Sequence, residues 1–177
     1  MTAPLNKHTQ MHLIEMVKEK LLLERIVLND VDVNPRDSDG KNALYWAIKN
    51  KSIHNANLLI IFGSSLVVAD DTHALFHAIE CKNHQMVVLL IDKGLNVDLT
   101  DNKGKTALMY AIEAKMYDTV KFLIQRGADI YKMDDAFSMA EDYAKVCHSD
   151  MIRSHLKYII YLDMNVSSHR TQPCKCG

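Results

Sequence analysis

One short sequence occurs three times in this chain, as GKNALYWAI from Gly40, THALFHAI from Thr72 and GKTALMYAI from Gly104. The central leucines of the three copies are Leu44, Leu75 and Leu108. Each copy is followed by an apolar run that ends at a glycine, and these glycines are Gly63, Gly94 and Gly127. A period of about 33 residues with two apolar segments predicts a stack of two-helix units, because one unit cannot bury its apolar face alone.

The repeated unit resembles the ankyrin repeat. The copy that fits best runs from Asp101 to Ala111 and ends in a Gly-Ala-Asp-Ile sequence at Ile130. Alanine stands where the family signature has proline at the start of the first helix, a position where proline is favoured but not required. The resemblance implies an all-α ankyrin-repeat solenoid of stacked helix-turn-helix units, with short β-hairpin loops between them.

The residue before each first helix can cap its free backbone amides. Thr106 and Asn42 carry side-chain oxygens that accept hydrogen bonds at such a position, whereas His73 is a weaker candidate. We therefore expect the three first helices to begin directly after these residues.

The repeats divide the chain into a single ankyrin repeat domain over residues 1–165 and a flexible tail over 166–177. The units of the domain are an N-terminal capping unit (1–36), three full repeats (37–69, 70–100 and 101–133) and a C-terminal capping repeat (134–165). In the last unit Glu141 stands where the other copies have a buried leucine. A terminal unit tolerates this glutamate because it has no neighbour to bury it.

The second repeat is two residues shorter before its first helix and lacks the turn glycine of its neighbours. We expect a truncated hairpin there. Sequence drift and a notch that admits part of a partner are both open interpretations.

Composition and the chain ends limit the classes of function that the sequence allows. The net charge of −1 and the absence of a basic run predict no attraction to nucleic acid or to an anionic membrane. The longest apolar stretch, Leu58 to Phe62, is too short to span a bilayer, and the N-terminus does not read as a signal peptide. We expect a cytoplasmic monomer, with delivery into a host cell as an open alternative.

No catalytic signature is present in the sequence. The pairs His8/His12 and His73/His77 share helical spacing but lack a further ligand in the same helix. Near the C-terminus, Cys174 and Cys176 allow half a zinc site or a lipidation signal as alternatives to a solvated end. We expect no enzyme activity, no cofactor and no metal.

The resemblance implies that another protein, whose identity the sequence does not reveal, binds the concave face and the hairpin tips. The matching positions are Asp39, Lys41, Trp46, Asn50, Asp71, His77, Glu80, Cys81, Lys103, Lys105, Tyr110 and Glu113. Trp46, His77 and Tyr110 occupy one repeat position, so stacking places them in a row. Trp and Tyr are frequent in binding hot spots. The alternative is that these rings pack between adjacent helices, and we expect Trp46 to be partly exposed.

The function we expect is that of a protein–protein interaction module. One alternative is an adaptor or inhibitory subunit of an enzyme complex, for example a ubiquitin ligase substrate adaptor. Another is a protein that is itself modified at Asn34 or Asn96. Compact ankyrin chains resemble host-directed microbial and viral proteins as well as small eukaryotic adaptors, so a host-directed role is also open.

Overall fold

A computed structural model describes residues 7–23 and 31–169 as a row of packed helix pairs. The N-terminal unit contains helix α1, Lys7–Lys18. The following units contain α2 (Ala43–Lys49) and α3 (Ile53–Ile61), α4 (Ala74–Glu80) and α5 (His84–Asp92), α6 (Ala107–Glu113) and α7 (Tyr117–Gln125), and α8 (Ala140–Val146) and α9 (Asp150–His169). We term α1, α2, α4, α6 and α8 the inner helices and α3, α5, α7 and α9 the outer helices. Each inner helix packs on the next inner helix along the row, which confirms the all-α solenoid.

Side chains cap the inner helices as the sequence predicted. The Asn42 Oδ1 atom accepts from the Tyr45 amide at 3.0 Å, and the Thr106 Oγ1 atom accepts from the Met109 amide at 3.2 Å. His73 caps α4 through its Nδ1 atom, which accepts from the Leu75 amide at 3.3 Å. Each bond satisfies one of the amides that a helix start leaves free.

The repeated apolar positions form the core. Leu44, Leu75 and Leu108 are at most 1% exposed. Three residues after each leucine comes a fully buried alanine, and a small side chain there lets the neighbouring helix approach closely. The core is thus one continuous layer between successive units and not a separate core in each unit.

The hairpins between units differ. In the second repeat, strands β1 (Val67–Ala69) and β2 (Thr72–His73) pair antiparallel across a tight connection at Asp70 and Asp71. The neighbouring hairpins carry longer turns over 37–41 and 101–105, each closed by an isolated bridge. The second hairpin is therefore truncated, as its shorter sequence predicted.

The C-terminal end of the row departs from the internal repeats. Glu141 and Lys145 occupy the positions of the buried Leu108 and Ile112, and their side chains form an ion pair at 3.4 Å. The last helix, α9, is 20 residues long and ends at His169, so its last turn lies inside the segment 166–177 expected as a flexible tail. None of the described helices is long and apolar enough to cross a membrane.

Two sequence predictions concern residues outside the described ranges. Residues 24–30 of the expected N-terminal capping unit lie there, and so do Cys174 and Cys176, which fall in residues 170–177. Leu23, which directly precedes residues 24–30, is buried in the core.

Candidate protein-binding surface

In three of the hairpin turns, an aspartate connects the turn to the inner helix that follows. Asp101 accepts the backbone amides of Lys103 and Lys105 through Oδ1, both at 2.8 Å, and the hydroxyl of Tyr110 through Oδ2 at 2.9 Å. Asp37 and Asp134 make the same set of bonds, to the rings of Trp46 at 2.9 Å and Tyr143 at 2.6 Å. We term these three residues the hairpin aspartates. Their bonds hold a half-buried aromatic ring at a fixed place beside each turn.

The hydrogen bonds of the hairpin aspartates shift the pKa values of both partners. Burial alone would raise the pKa of the Asp101 carboxyl, but the three donated bonds outweigh burial and leave the pKa below its usual value. Burial and the Asp101 carboxylate together raise the pKa of the Tyr110 hydroxyl to about 12. The carboxylate and the neutral phenol are thus both stabilised in the forms that bond to each other.

Lysine ammonium groups lie over the same rings. The Nζ atoms of Lys18, Lys41 and Lys49 lie 4.8, 5.6 and 4.9 Å from the centre of the Trp46 ring. Further along the row, the Lys105 Nζ atom lies 4.2 Å from the Tyr110 ring centre and 4.9 Å from that of Tyr143. Cations at these distances are attracted to the ring faces, so the rings and lysines form one ordered surface.

His77 occupies the same repeat position as the half-buried rings but is itself buried. It is 6% exposed, which favours the alternative that this ring packs between adjacent helices. The ring stacks on Tyr45 of the preceding repeat, with ring centres 4.1 Å apart. The second hairpin has Val68, and not an aspartate, nine residues before the His77 ring. Its nitrogens lie instead 3.5 Å from Glu80 and 3.7 Å from the Cys81 Sγ atom.

Burial lowers the pKa of His77, although Glu80 acts in the opposite direction. The histidine is therefore favoured as a neutral ring within the stack.

The other sequence-predicted residues divide by exposure. Exposed residues are Asp39, Asp71, Glu80, Lys103 and Glu113, and half-buried ones are Lys41, Trp46, Asn50, Cys81, Lys105 and Tyr110. Asn50 has a structural task, since its amide nitrogen donates to the Val17 carbonyl at 2.7 Å and so links α2 to the end of α1. Trp46 is half-buried, in agreement with the expected partial exposure.

Phe137 is a candidate residue that the sequence reasoning missed. It lies at the tip of the C-terminal hairpin, at the repeat position that Gly104 occupies one unit earlier, and adopts the same left-handed backbone conformation with φ of 60°. The residue is 82% exposed. Because a bulky side chain rarely adopts positive φ, this position combines backbone strain with an exposed aromatic ring. Aligning the turn glycines by their period would have revealed it.

The third and C-terminal hairpins enclose a groove with a volume of ≈ 750 Å³. Its lining residues are Asp101, Asn102, Lys103, Lys105, Tyr110, Asp134, Asp135, Ala136 and Tyr143. The hairpin tips are joined by a hydrogen bond from the Asp135 amide to the Lys103 carbonyl at 2.9 Å. The groove thus has a fixed wall on the side of the tips.

The alternative modification sites are held by local hydrogen bonds. The Asn34 side-chain nitrogen donates to the Gly63 carbonyl at 3.2 Å, and its oxygen accepts from the Ser65 amide. The Asn96 oxygen accepts from the Asp98 amide at 2.9 Å. As for metal, within the described part of the chain no three His, Cys, Asp or Glu side chains are grouped to hold an ion.

Comparison with known proteins agrees with this architecture. A family model of three ankyrin repeats matches residues 61–134. The E3 ubiquitin-protein ligase hecd-1 of Caenorhabditis elegans is 34% identical over 98 residues, which are 54% of this chain and 4% of that protein. Two putative ankyrin repeat proteins of Fowlpox virus (strain NVSL), FPV244 and FPV034, are 26% and 30% identical over 47% and 49% of this chain.

Residues 61–134 of this chain are thus ankyrin repeats. The chain spans only a small part of these relatives: 4% of the length of hecd-1, 13% of FPV244 and 20% of FPV034. Ankyrin repeats indicate a protein–protein interaction module, and the family is generally non-enzymatic.

Proposed function

We propose that the hairpin tips and the concave face bind a partner protein, with the main contacts on the aromatic rings beside the turns. These rings are those of Trp46, Tyr110, Tyr143 and Phe137. The observation that carries the proposal is Phe137, an aromatic ring kept 82% exposed on strained backbone. Such a ring contributes little to folding, whereas large aromatics are over-represented among the residues that dominate binding energy.

The hairpin aspartates support the same proposal through pre-organisation. Asp101 and Asp134 hold Tyr110 and Tyr143 in place before any partner arrives. Side chains that are already ordered lose little conformational entropy on association. The groove between the third and C-terminal hairpins, whose lining residue Ala136 directly precedes Phe137, is the part of the surface that we expect to receive a side chain of the partner.

The decisive experiment uses Phe137→Gly, because glycine suits the left-handed backbone and removes only the ring. We expect the free energy of unfolding to stay equal or rise, and partner binding to weaken by more than about 1 kcal/mol. Trp46→Ala and Tyr110→Ala should each weaken binding by a similar amount with helical content retained. The measurement is affinity capture from cell lysate with mass spectrometry, followed by calorimetry on the main partner.

Gln125→Ala is the matched control, since this exposed residue lies at the end of an outer helix. It should leave binding unchanged. The proposal fails if Phe137→Gly and Tyr110→Ala capture the partner normally while changes on the outer helices abolish capture.

A second candidate function is an adaptor or inhibitory subunit of an enzyme complex. The similarity to a segment of a ubiquitin ligase supports it, and the similarity to fowlpox ankyrin proteins supports a host-directed role. In either function we expect the chain to act as a cytoplasmic monomer. The same capture experiment decides between the two functions, because an adaptor would retain a catalytic or ligase subunit as its main partner.

A further inference from the structure

Five residues with basic side chains mark the same point of every unit. Lys20, Lys51, Lys82, Lys115 and His148 follow the C-terminal ends of the five inner helices, each one repeat after the last. All five have left-handed backbone, with φ between 49° and 63°. We term this set the basic ladder.

The backbone conformation makes this choice of residue unusual. Glycine is the residue that adopts left-handed backbone without strain, and lysine is not among its usual substitutes. The chain itself uses glycine where its outer helices α3, α5 and α7 end, at Gly63, Gly94 and Gly127. At the ends of the inner helices it keeps lysine four times. Backbone geometry therefore does not explain why a positively charged side chain stands at these positions.

The charges of the ladder are free for a ligand. All five residues are exposed, and within residues 7–23 and 31–169 none of the four lysines has a carboxylate as an ion-pair partner. A favourable contact with the negative end of a helix dipole is available to each lysine, and this is the purely structural explanation that a test must separate.

The rungs lie in a line on the edge opposite the hairpin tips. The inner helices begin directly after the hairpins and end at the ladder, so about 10 Å of helix separates the two surfaces. Successive inner helices pack side by side, which places successive rungs about 8–10 Å apart. Burial and the Glu80 carboxylate raise the pKa of the Cys81 thiol, while the charge of Lys51 acts to lower it, so Lys51 lies near the residue that directly precedes the next rung, Lys82.

We propose that the basic ladder binds an acidic segment of a partner in extended conformation, with a carboxylate at every third residue. Extended and polyproline-type chains advance about 3.1–3.4 Å per residue, so every third side chain recurs at about 9–10 Å, the spacing of the rungs. Nucleic acid is the less favoured occupant, because the chain carries a net charge of −1 and has no basic run. The ladder is separate from the concave face and does not depend on the function proposed above.

The test uses the full chain and a synthetic peptide with five repeats of Glu-Pro-Ala. A control peptide of equal composition carries its five glutamates in one block. We expect fluorescence anisotropy to show salt-dependent binding of the spaced peptide and weaker binding of the block peptide. Lys51→Gly, Lys82→Gly and Lys115→Gly combined should weaken binding about tenfold, because three exposed ion pairs are lost. The same three positions changed to arginine should retain it.

Glycine at these positions makes the variant informative about structure as well. The thermal midpoint of the triple glycine variant should not fall, since glycine relieves the left-handed strain. If the triple glycine variant folds poorly, a triple asparagine variant at the same positions is used in its place. A charge-matched control combines Lys121→Gln and Lys157→Gln on outer helices with Lys93→Gln at the end of α5, and it should bind within about twofold of the wild type.

The proposal is overturned if the wild type does not bind the spaced peptide, or binds the block peptide equally well. Equal losses in the outer-helix control, or tighter binding of a single-stranded DNA oligonucleotide than of the spaced peptide, also refute it. Phe137→Gly should leave peptide binding unchanged, which keeps failure here distinct from failure of the concave-face proposal.

Discussion

At the scale of single residues, each hairpin aspartate divides its two carboxylate oxygens between two tasks. One oxygen accepts the backbone amides that close the turn, and the other accepts a hydrogen bond from the ring nine residues later. A single side chain therefore fixes both the hairpin and the ring that follows it. His77 shows the reverse case, since without such an aspartate the ring is buried.

Replacing Asp101 with asparagine should lower stability in a pH-dependent way. The folded state holds the pKa of Asp101 below its ordinary value of 3.8, so its stabilisation is present above that pH and is lost as the pH falls through the lowered pKa. At neutral pH we expect a loss of about 1 kcal/mol in urea unfolding, and a smaller difference from the wild type in acid. Asp39→Asn on an exposed turn is the control. A constant difference at every pH would contradict the explanation.

Leu108→Ala tests the register of the core. Leu108 is 1% exposed between adjacent units, and truncating a buried leucine leaves a cavity that costs about 2–5 kcal/mol. Chemical denaturation should show this loss with circular dichroism of the folded state unchanged. A loss below about 0.5 kcal/mol would place Leu108 outside the core.

At the scale of elements, the inner helices depend on their neighbours. Helices of seven residues are far below the length at which a helix is stable by itself in water. Their caps and their packing against the next unit supply the stability. The last inner helix, α8, needs packing on one side only, and it carries the charged pair Glu141 and Lys145 where the others carry leucine and isoleucine.

The double change Glu141→Leu and Lys145→Ile should convert this end into an association surface. It restores the apolar pattern of the internal repeats on a face that no further described unit covers, so we expect concentration-dependent dimers or aggregates in light scattering. Glu141→Gln with Lys145→Gln removes the same charges without adding apolar area and should leave the association state of the wild type unchanged. Equal behaviour of the two variants would show that charge alone controls association.

At the scale of the whole molecule, stability is distributed along the row, because the main contacts of each described unit are with its neighbours. No bound ion is needed for such packing. We expect a strongly helical circular dichroism spectrum, purified protein without stoichiometric zinc, and a thermal midpoint that a chelator does not change. Stoichiometric metal that disappears on mutation of Cys174 and Cys176 would contradict this expectation.

The sequence alone determined the period, the helix starts, the buried leucines and the polar character of the last unit. These features depend on local capping and on the spacing of apolar residues, which are readable along the chain. The truncated second hairpin also follows from its missing residues. The partner-binding positions that the resemblance implies remain a prediction.

Only the tertiary structure decided which side chains remain available. The burial of His77 depends on Tyr45 of the previous repeat, and no local pattern reports that contact. The exposure of Phe137 and the basic ladder depend on left-handed backbone at phenylalanine and lysine, which ordinarily avoid it. Their alignment arises from stacking, which brings residues about a period apart to the same edge of the molecule.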